Sequence, residues 1–206
     1  MRLSQFHRLL IGAIAAALLV SVVAGDSGHA ASETVELGKG LFLIAELDLR
    51  DPNFSETVIL ITHHSAQGTT GVVINRPTAT ALSEALPDRK ELAGRSDVVH
   101  AGGPVGRRAL QLLLRTRTRP EHAQHVFGDV YVTQAADVLL DALTSDDAAT
   151  AIRLFAGYAG WAPGQLADEI ARGSWRVVPA EAAVLFDRDP EVIWKEMIRR
   201  TSEQFI

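Results

Sequence analysis

The chain of 206 residues contains no cysteine. Disulfide bonds, thiolate metal sites and cysteine nucleophiles are therefore excluded. Positive charge is also in short supply, because 20 Lys and Arg residues stand against 25 Asp and Glu residues, giving a formal net charge of −5. Domains that bind nucleic acids in general carry a basic surface, so this balance argues against a nucleic-acid partner.

Several motifs that would identify a chemistry are absent as well. The chain has no phosphate-binding loop, no Gly-x-Gly-x-x-Gly fingerprint, no Gly-x-Ser-x-Gly elbow and no His-Glu-x-x-His zinc motif. His63 and His64 are neighbours on a predicted strand and would point to opposite faces, so they are poorly placed to share an ion. His122 and His125 alone supply too few zinc ligands. We therefore predict no metal and no cofactor.

The residues that are present suffice for one sizeable core. Hydrophobic residues make up 47% of the chain, which is an ordinary value for a globular domain. No repeat, low-complexity stretch or linker interrupts the sequence after residue 40. We predict a targeting segment over residues 1–31, a polar lead-in over 32–39 and one domain over 40–206.

The N-terminal segment has the layout of a secretory signal peptide. A short basic start precedes the uncharged, mostly apolar run Leu9–Gly25, and small residues follow at Gly28 and Ala30. We expect cleavage after Ala30 or Ala31, and a periplasmic or exported protein. An uncleaved anchor is one alternative, because the run is near the shortest length that spans a bilayer. A misassigned start codon, or an extension without a targeting role, is the other. Only such an anchor would bring the protein to a membrane.

Apolar and β-branched runs predict most of the strands, and a short Gly-bearing link between two of them predicts a hairpin. The predicted strands are Leu41–Ala45, Thr57–Thr62, Gly71–Asn75, Asp97–His100, Ala109–Leu114, Val126–Val132, Trp175–Val178 and Ala183–Phe186. Apolar spacing of three and four residues predicts helices at Thr80–Leu86, Gln134–Leu143 and Leu166–Ala171, and a last helix from Asp189-Pro190. Residues 148–155 fit either a helix or a strand.

The stretch from Gly157 to Leu166 combines three glycines and one proline with two large aromatic residues. It predicts a tight turn from a strand into a helix, anchored by Tyr158 and Trp161. Such a turn either lines a ligand site or locks a corner of the fold. Together with the irregular alternation of strands and helices, it indicates one mixed α+β domain whose sheet is covered on both faces.

An ordered set of motifs from about Gly38 to Arg200 is similar to that of the YqgE/AlgH family. The matching pieces are Gly40–Ala45, Asp51-Pro52-x-Phe54, His64, Gly68, Gly71–Pro77, Gly102–Val105, Gly157–Trp161, Gly164–Leu166, Trp175 and Leu185–Asp187. The resemblance implies a single α+β domain with a bifurcated mixed β-sheet that is bent into a pseudo-barrel and flanked by helices. It also implies a link to the regulation of alginate production, as a proposed transcriptional regulator, without an agreed chemistry.

The chain departs from the family pattern in three places. Ala45-Glu46-Leu47 stands where the family usually has Ala-Met-Pro, and Thr62-His63-His64 stands where it has Cys-Glu-His. The second change removes any role for a thiol. The export segment is the third departure, because most members resemble cytoplasmic proteins, and it puts a DNA-directed role in doubt.

Candidate ligand-binding residues are found where strands end in turns, since pockets form there. Arg76 would bind an anion beside glycine N–H groups if the neighbouring strand ends face the same side. In the alternative interpretation Arg76 bonds loop carbonyls and Gly102-Gly103-Pro104 is only a turn. The candidate set is His64, Asn75, Arg76, Gly102, Gly103, Pro104, Tyr158, Trp161 and Gln165. No catalytic residue is predicted.

Three functions are compatible with these residues. The leading hypothesis is a non-enzymatic regulatory or ligand-binding protein whose partner is a small anionic molecule. The second is a hydrolase of a phosphorylated or anionic substrate with Arg76 as the anion clamp. The third is a DNA-binding regulator that uses the basic cluster of Arg107, Arg108, Arg115, Arg117 and Arg119. The oligomeric state is not predicted.

Overall fold

Ten strands pair into one sheet within the part of the chain that the computed structural model describes, residues 36–144 and 150–203. The predicted export segment, residues 1–31, lies outside the described residues. The strands are β1 (Leu41–Ala45), β2 (Val58–Ser65), β3 (Gly68–Val73), β4 (Pro77–Ala81), β5 (Val98–Ala101), β6 (Val105–Arg115), β7 (Gln124–Phe127), β8 (Val130–Thr133), β9 (Ala151–Trp161) and β10 (Trp175–Pro179).

Short helices flank this sheet: α1 (Leu82–Ala85), α2 (Ala136–Thr144), α3 (Gln165–Ala171), α4 (Ala182–Asp187) and α5 (Pro190–Glu203), with a 3-10 turn at Lys90–Leu92. The C-terminal helix α5 packs on β1. It buries Ile193 and Met197, and the Trp194 indole N–H donates to the Ala45 carbonyl at 2.9 Å. The predicted α+β class is therefore confirmed.

The sheet forks at strand β9. One edge of β9 pairs with β6, while its other edge pairs with two different strands. Leu154–Ala156 pair in parallel with β5, and Ala159–Trp161 pair antiparallel with β3. The two branches separate at Gly157-Tyr158, and the loop that leaves β5 crosses there at Gly102-Gly103. We call these four residues the fork.

The rest of the sheet curls into a half-barrel. Its order is β10-β1-β2-β3-β9-β6-β8-β7, and β5 and β4 form the side branch. Five strands separate β1 from β7 in this order, yet the Lys39 ammonium just before β1 donates to the His125 carbonyl of β7 at 2.8 Å. The two distant regions can meet only if the sheet bends strongly. The family-based expectation of a barrel-like sheet thus takes the form of a half-barrel.

Burial of the predicted apolar runs builds the core. All five residues of β1 are buried, and they belong to a cluster that continues through β2 and β3 to α5. A second cluster packs α1 and α2 against β6 and β9. The predicted hairpin between β2 and β3 is confirmed by their antiparallel pairing.

Three predictions about local structure are corrected. Ala183–Phe186, predicted as a strand, lies in helix α4, where the Val184 and Leu185 amides both donate to the Glu181 carbonyl. Val126–Val132 is two strands, because the chain reverses at Gly128. The turn predicted from Gly157 begins only after Trp161. Gly157, with φ of 76°, is an irregularity inside a continuous strand.

The fork leaves no room for a side chain at Gly102. A β-carbon there would lie 2.3 Å from the Gly157 carbonyl oxygen, so we expect Gly102→Ala to cost about 2–3 kcal/mol through overpacking. Gly160→Ala is the matched control, because its β-carbon would meet only the Tyr158 ring at 3.4 Å. Urea unfolding measures both free energies. Equal stability of the two variants would contradict the crossing.

Candidate functional site

A cavity of about 330 Å³ opens beside the fork, and it contains part of the predicted site. We call it the fork cavity; its lining residues are Asn53, Arg76, Thr78, Ala101, Gly103, Pro104, Arg107 and Ala156. Among these described residues are two guanidinium groups and no carboxylate. The structure therefore brings Arg76, Gly103 and Pro104 together as the sequence suggested, in a positively charged pocket.

Arg76 also serves the fold. Its guanidinium donates to the carbonyls of Asn53 at 2.7 Å and Ser55 at 3.1 Å, as the alternative interpretation of this residue expected. Asn75 holds the same loop, since its side chain accepts from the Val58 amide at 2.8 Å and donates to the Glu56 carbonyl at 3.0 Å. Carbonyl dipoles orient Arg76, and within the described part of the chain no carboxylate pairs with its positive charge.

Gly103 is a point of close backbone approach. Its φ is 153°, and a β-carbon would lie 2.2 Å from the Tyr158 carbonyl carbon. The amide of its neighbour Gly102 donates to the Ala156 carbonyl at 2.8 Å. Gly102-Gly103-Pro104 is therefore the crossing segment of the fork. The Gly102 N–H is used in a hydrogen bond of the sheet, so it does not face a ligand.

Trp161 and Gln165 belong to an aromatic brace. The Trp161 and Trp175 indoles donate to the same Glu169 oxygen at 2.8 and 2.9 Å, and Gln165 donates to the other oxygen at 3.0 Å. Phe54 stacks on Trp161 with ring centroids 6.2 Å apart. The stacking on Phe54 fixes the loop that Arg76 also holds. Trp161 and Gln165 therefore support the fork cavity from outside its lining.

The remaining candidates lie elsewhere. His64 is exposed at the end of β2, and its Nδ1 is 2.7 Å from the Thr69 hydroxyl. Tyr158 lines a separate depression of about 600 Å³ on the curled face of the sheet. The nine sequence candidates thus divide among the fork with its cavity, the aromatic brace, this depression, the loop held by Asn75 and, for His64, the exposed end of β2.

Arg107 is the site residue that sequence reasoning did not single out. The sequence places it in a cluster with four other arginines, but these separate in space. Arg107 lies in a bulge of β6, whereas Arg115 at the end of that strand is roughly 25 Å away at the usual strand rise. Arg115 binds Asp187 with two hydrogen bonds of 3.0 and 3.1 Å, and this contact lowers the pKa of Asp187. The only cue to Arg107 is the preceding Gly106.

His100 and Arg153 form a second polar pair, in a cavity of about 500 Å³. His100 is 5% exposed, and its Nε2 accepts from the Arg153 guanidinium at 3.1 Å. Burial, and then the charge of Arg153, lower the pKa of His100 to about 4. The carbonyls of Val98 and Leu154 oppose this shift, but neither has hydrogen-bonding geometry to Nδ1.

The described residues hold neither a cluster of metal ligands nor a membrane-spanning helix. Across 36–144 and 150–203, no three His, Asp or Glu side chains converge as metal ligands would. Within these same ranges, no helix has the length and apolar character needed to cross a bilayer.

The fold and its motifs match one protein family. The family model described as AlgH-like matches residues 42–205. The chain belongs to the AlgH-like family. The solution structure of AlgH from Pseudomonas aeruginosa has a TM-score of 0.66 and 31% identity, covering 79% of this chain and 87% of that protein. A crystal structure from Corynebacterium diphtheriae has a TM-score of 0.67 and 26% identity, covering 80% and 87%.

Relatives described as UPF0301 proteins support the same conclusion. The one from Streptomyces avermitilis is 38% identical over 173 residues, which are 78% of this chain and 85% of the relative. The one from Mycobacteroides abscessus is 37% identical over 180 residues, or 84% of each chain. This AlgH-like chain therefore matches its relatives over most of their length.

One departure from the family motif has a structural role in this AlgH-like protein. The Glu46 carboxylate pairs with the Arg176 guanidinium at 2.5 and 3.1 Å. Arg176 also donates to the Ser202 hydroxyl at 2.8 Å. The substituted glutamate thus takes part in a polar bridge between the end of β1, strand β10 and helix α5.

The low pKa of His100 makes stability depend on pH. In the unfolded chain His100 is protonated near its ordinary pKa of 6.5, whereas in the folded chain its pKa is about 4. The contribution of neutral His100 to the free energy of unfolding is therefore complete above pH 6.5. It is lost as the pH falls toward 4, which lowers that free energy by up to about 3 kcal/mol.

His100→Gln tests this expectation, because glutamine still offers Arg153 an acceptor but does not titrate. Chemical unfolding at several pH values should show a steeper loss of stability on acidification in the wild type. Parallel pH profiles for the two proteins would contradict the shifted pKa.

Proposed function

We propose that this AlgH-like protein is a non-enzymatic regulatory protein that binds a small anionic ligand in the fork cavity. The observation that carries the proposal is the lining itself, which joins the guanidinium groups of Arg76 and Arg107 without any carboxylate among the described residues. A cavity of about 330 Å³ lies at the lower end of the range for small-molecule sites.

The two arginines have complementary properties. Carbonyls of the β1–β2 loop hold Arg76 in place, so little side-chain entropy is lost when it contacts a ligand. The Arg107 side chain is exposed and makes no hydrogen bond or ion pair within the described residues. Guanidinium groups match the geometry of carboxylate and phosphate oxygens, which supports an anion as the ligand.

The same lining favours binding over hydrolysis. The other polar side chains among its described residues are Asn53 and Thr78, and these residues include no His, Asp or Glu that could act as a general base. No observation therefore favours the hydrolase with Arg76 as its anion clamp. The DNA-binding alternative loses its support as well, because the arginines are spread along β6 and the loop that follows it, and Arg115 between them is paired with Asp187.

Export remains a prediction from residues 1–31, and it decides in which compartment the ligand would be met. The described residues that line the fork cavity all lie between Asn53 and Ala156, outside that segment of the sequence. The binding proposal can thus be tested without knowing where the protein resides.

Arg107→Gln tests the proposal directly. A charge-assisted hydrogen bond contributes about 1.5–3 kcal/mol, so we expect at least a tenfold loss of affinity for inorganic phosphate or pyrophosphate, measured by titration calorimetry on the full chain. Arg117→Gln is the control, since it removes the same charge at an exposed position outside the cavity. Equal affinity of the wild type and Arg107→Gln, or no binding of either anion by the wild type, would refute the proposal.

A further inference from the structure

A second, larger depression lies inside the curl of the sheet, and we call it the basin. Six strands that are consecutive in the sheet order, from β2 through β3, β9, β6 and β8 to β7, each contribute to its lining. Its volume is about 600 Å³, which is typical of a small-molecule site. The curvature that brings Lys39 close to β7 therefore also creates this space.

The chemistry of the basin differs from that of the fork cavity. Its lining residues are Thr62, His63, Thr70, Gln111, His122, Gln124, Val132, Thr133, Gln134, Ala135 and Tyr158. No Asp, Glu, Lys or Arg is among these described residues. His122 is paired with Asp137 behind it, at 2.9 Å, so any charge on that imidazole is already compensated.

Gln111 is a mostly buried polar residue of the basin whose side chain makes no bond within the described part of the fold. It is only 8% exposed, yet its side-chain amide makes no hydrogen bond to any described residue. Along the same face of β6, Leu113 is fully buried in the main core. The Gln111 amide is nevertheless open to the basin, because the fully enclosed side-chain atoms without a partner in the described residues are His100 Nδ1 and Thr150 Oγ1. A polar group that neither bonds within the fold nor is sealed from the cavity is free to contact a ligand there.

Other free groups surround Gln111. The side chains of Thr70, Gln124, Gln134 and Tyr158 also line the basin without a hydrogen-bond partner among the described residues. Amides and hydroxyls can both donate and accept. A ligand hydroxyl has the same double capacity, whereas a carboxylate or phosphate only accepts and an ammonium only donates. The lining thus matches a molecule with several hydroxyl groups and no charge.

We infer that the basin is a second binding site, for an uncharged polyhydroxylated molecule of sugar size, and that the Gln111 amide is its central contact. The Tyr158 ring offers a flat apolar surface beside these polar groups, as aromatic residues do in sites that combine both characters. This inference is independent of the fork cavity, because the two linings share no residue.

Nuclear magnetic resonance of the full chain tests the site. The probes are glucose and N-acetylglucosamine, with glucuronate as a matched sugar that carries a charge. We expect at least one neutral probe to shift the side-chain amide signal of Gln111 and the backbone signals of Thr70 and Tyr158. Glucuronate should shift them less.

Gln111→Leu separates a binding role from a structural one. The variant should lose at least tenfold in affinity for the neutral probe, while its melting temperature stays equal or rises. Gln67→Leu makes the same chemical change at an exposed position outside the basin, and should bind as the wild type does.

Three results would overturn the inference: no neutral probe shifts the basin signals, glucuronate shifts them more strongly than glucose, or Gln111→Leu binds as tightly as the wild type. None of these outcomes affects the phosphate titration of the Arg107→Gln variant. The sugar probes therefore test the basin, and the phosphate titration tests the fork cavity independently.

Discussion

The closeness of two backbone segments at the fork is the constraint on which the rest of this structure depends. Gly102 donates its amide to the Ala156 carbonyl at 2.8 Å and accepts from the Val73 amide at 2.9 Å. One residue therefore joins both branches of the sheet to the strand from which they part. No side chain fits there, because a β-carbon at Gly102 would lie 2.3 Å from the Gly157 oxygen.

Both proposed sites border this crossing, but they differ in charge. Gly103 lines the fork cavity and Tyr158 lines the basin, and the backbones of these two residues are in contact. The β6 bulge that begins after Val105 places Arg107 at the first site. The regular part of β6 presents Gln111 to the second. A single strand thus supplies a charged residue to one site and a neutral residue to the other.

The amino-acid pattern predicts what depends on local burial, and it fails where pairing is non-local. Continuous apolar runs identify β1 and β2 because both are buried on each face. Val184 and Leu185 are wrongly predicted as part of a strand because two adjacent buried apolar residues fit a short strand and a short helix equally well. No local signal shows that β9 pairs with β5 and β3 on one edge. That pairing places Tyr158, Trp161 and Arg76 in different surroundings. The resemblance to a family indicated the class of fold, but it did not indicate this separation.

Native-state hydrogen exchange tests the central role of the fork most directly. The amide protons of Val73 and Gly102 link the two branches. Both protons should exchange only when the whole domain unfolds, with a free energy equal to that of global unfolding by denaturant. Exchange of either proton through a local opening of much lower free energy, insensitive to denaturant, would contradict it.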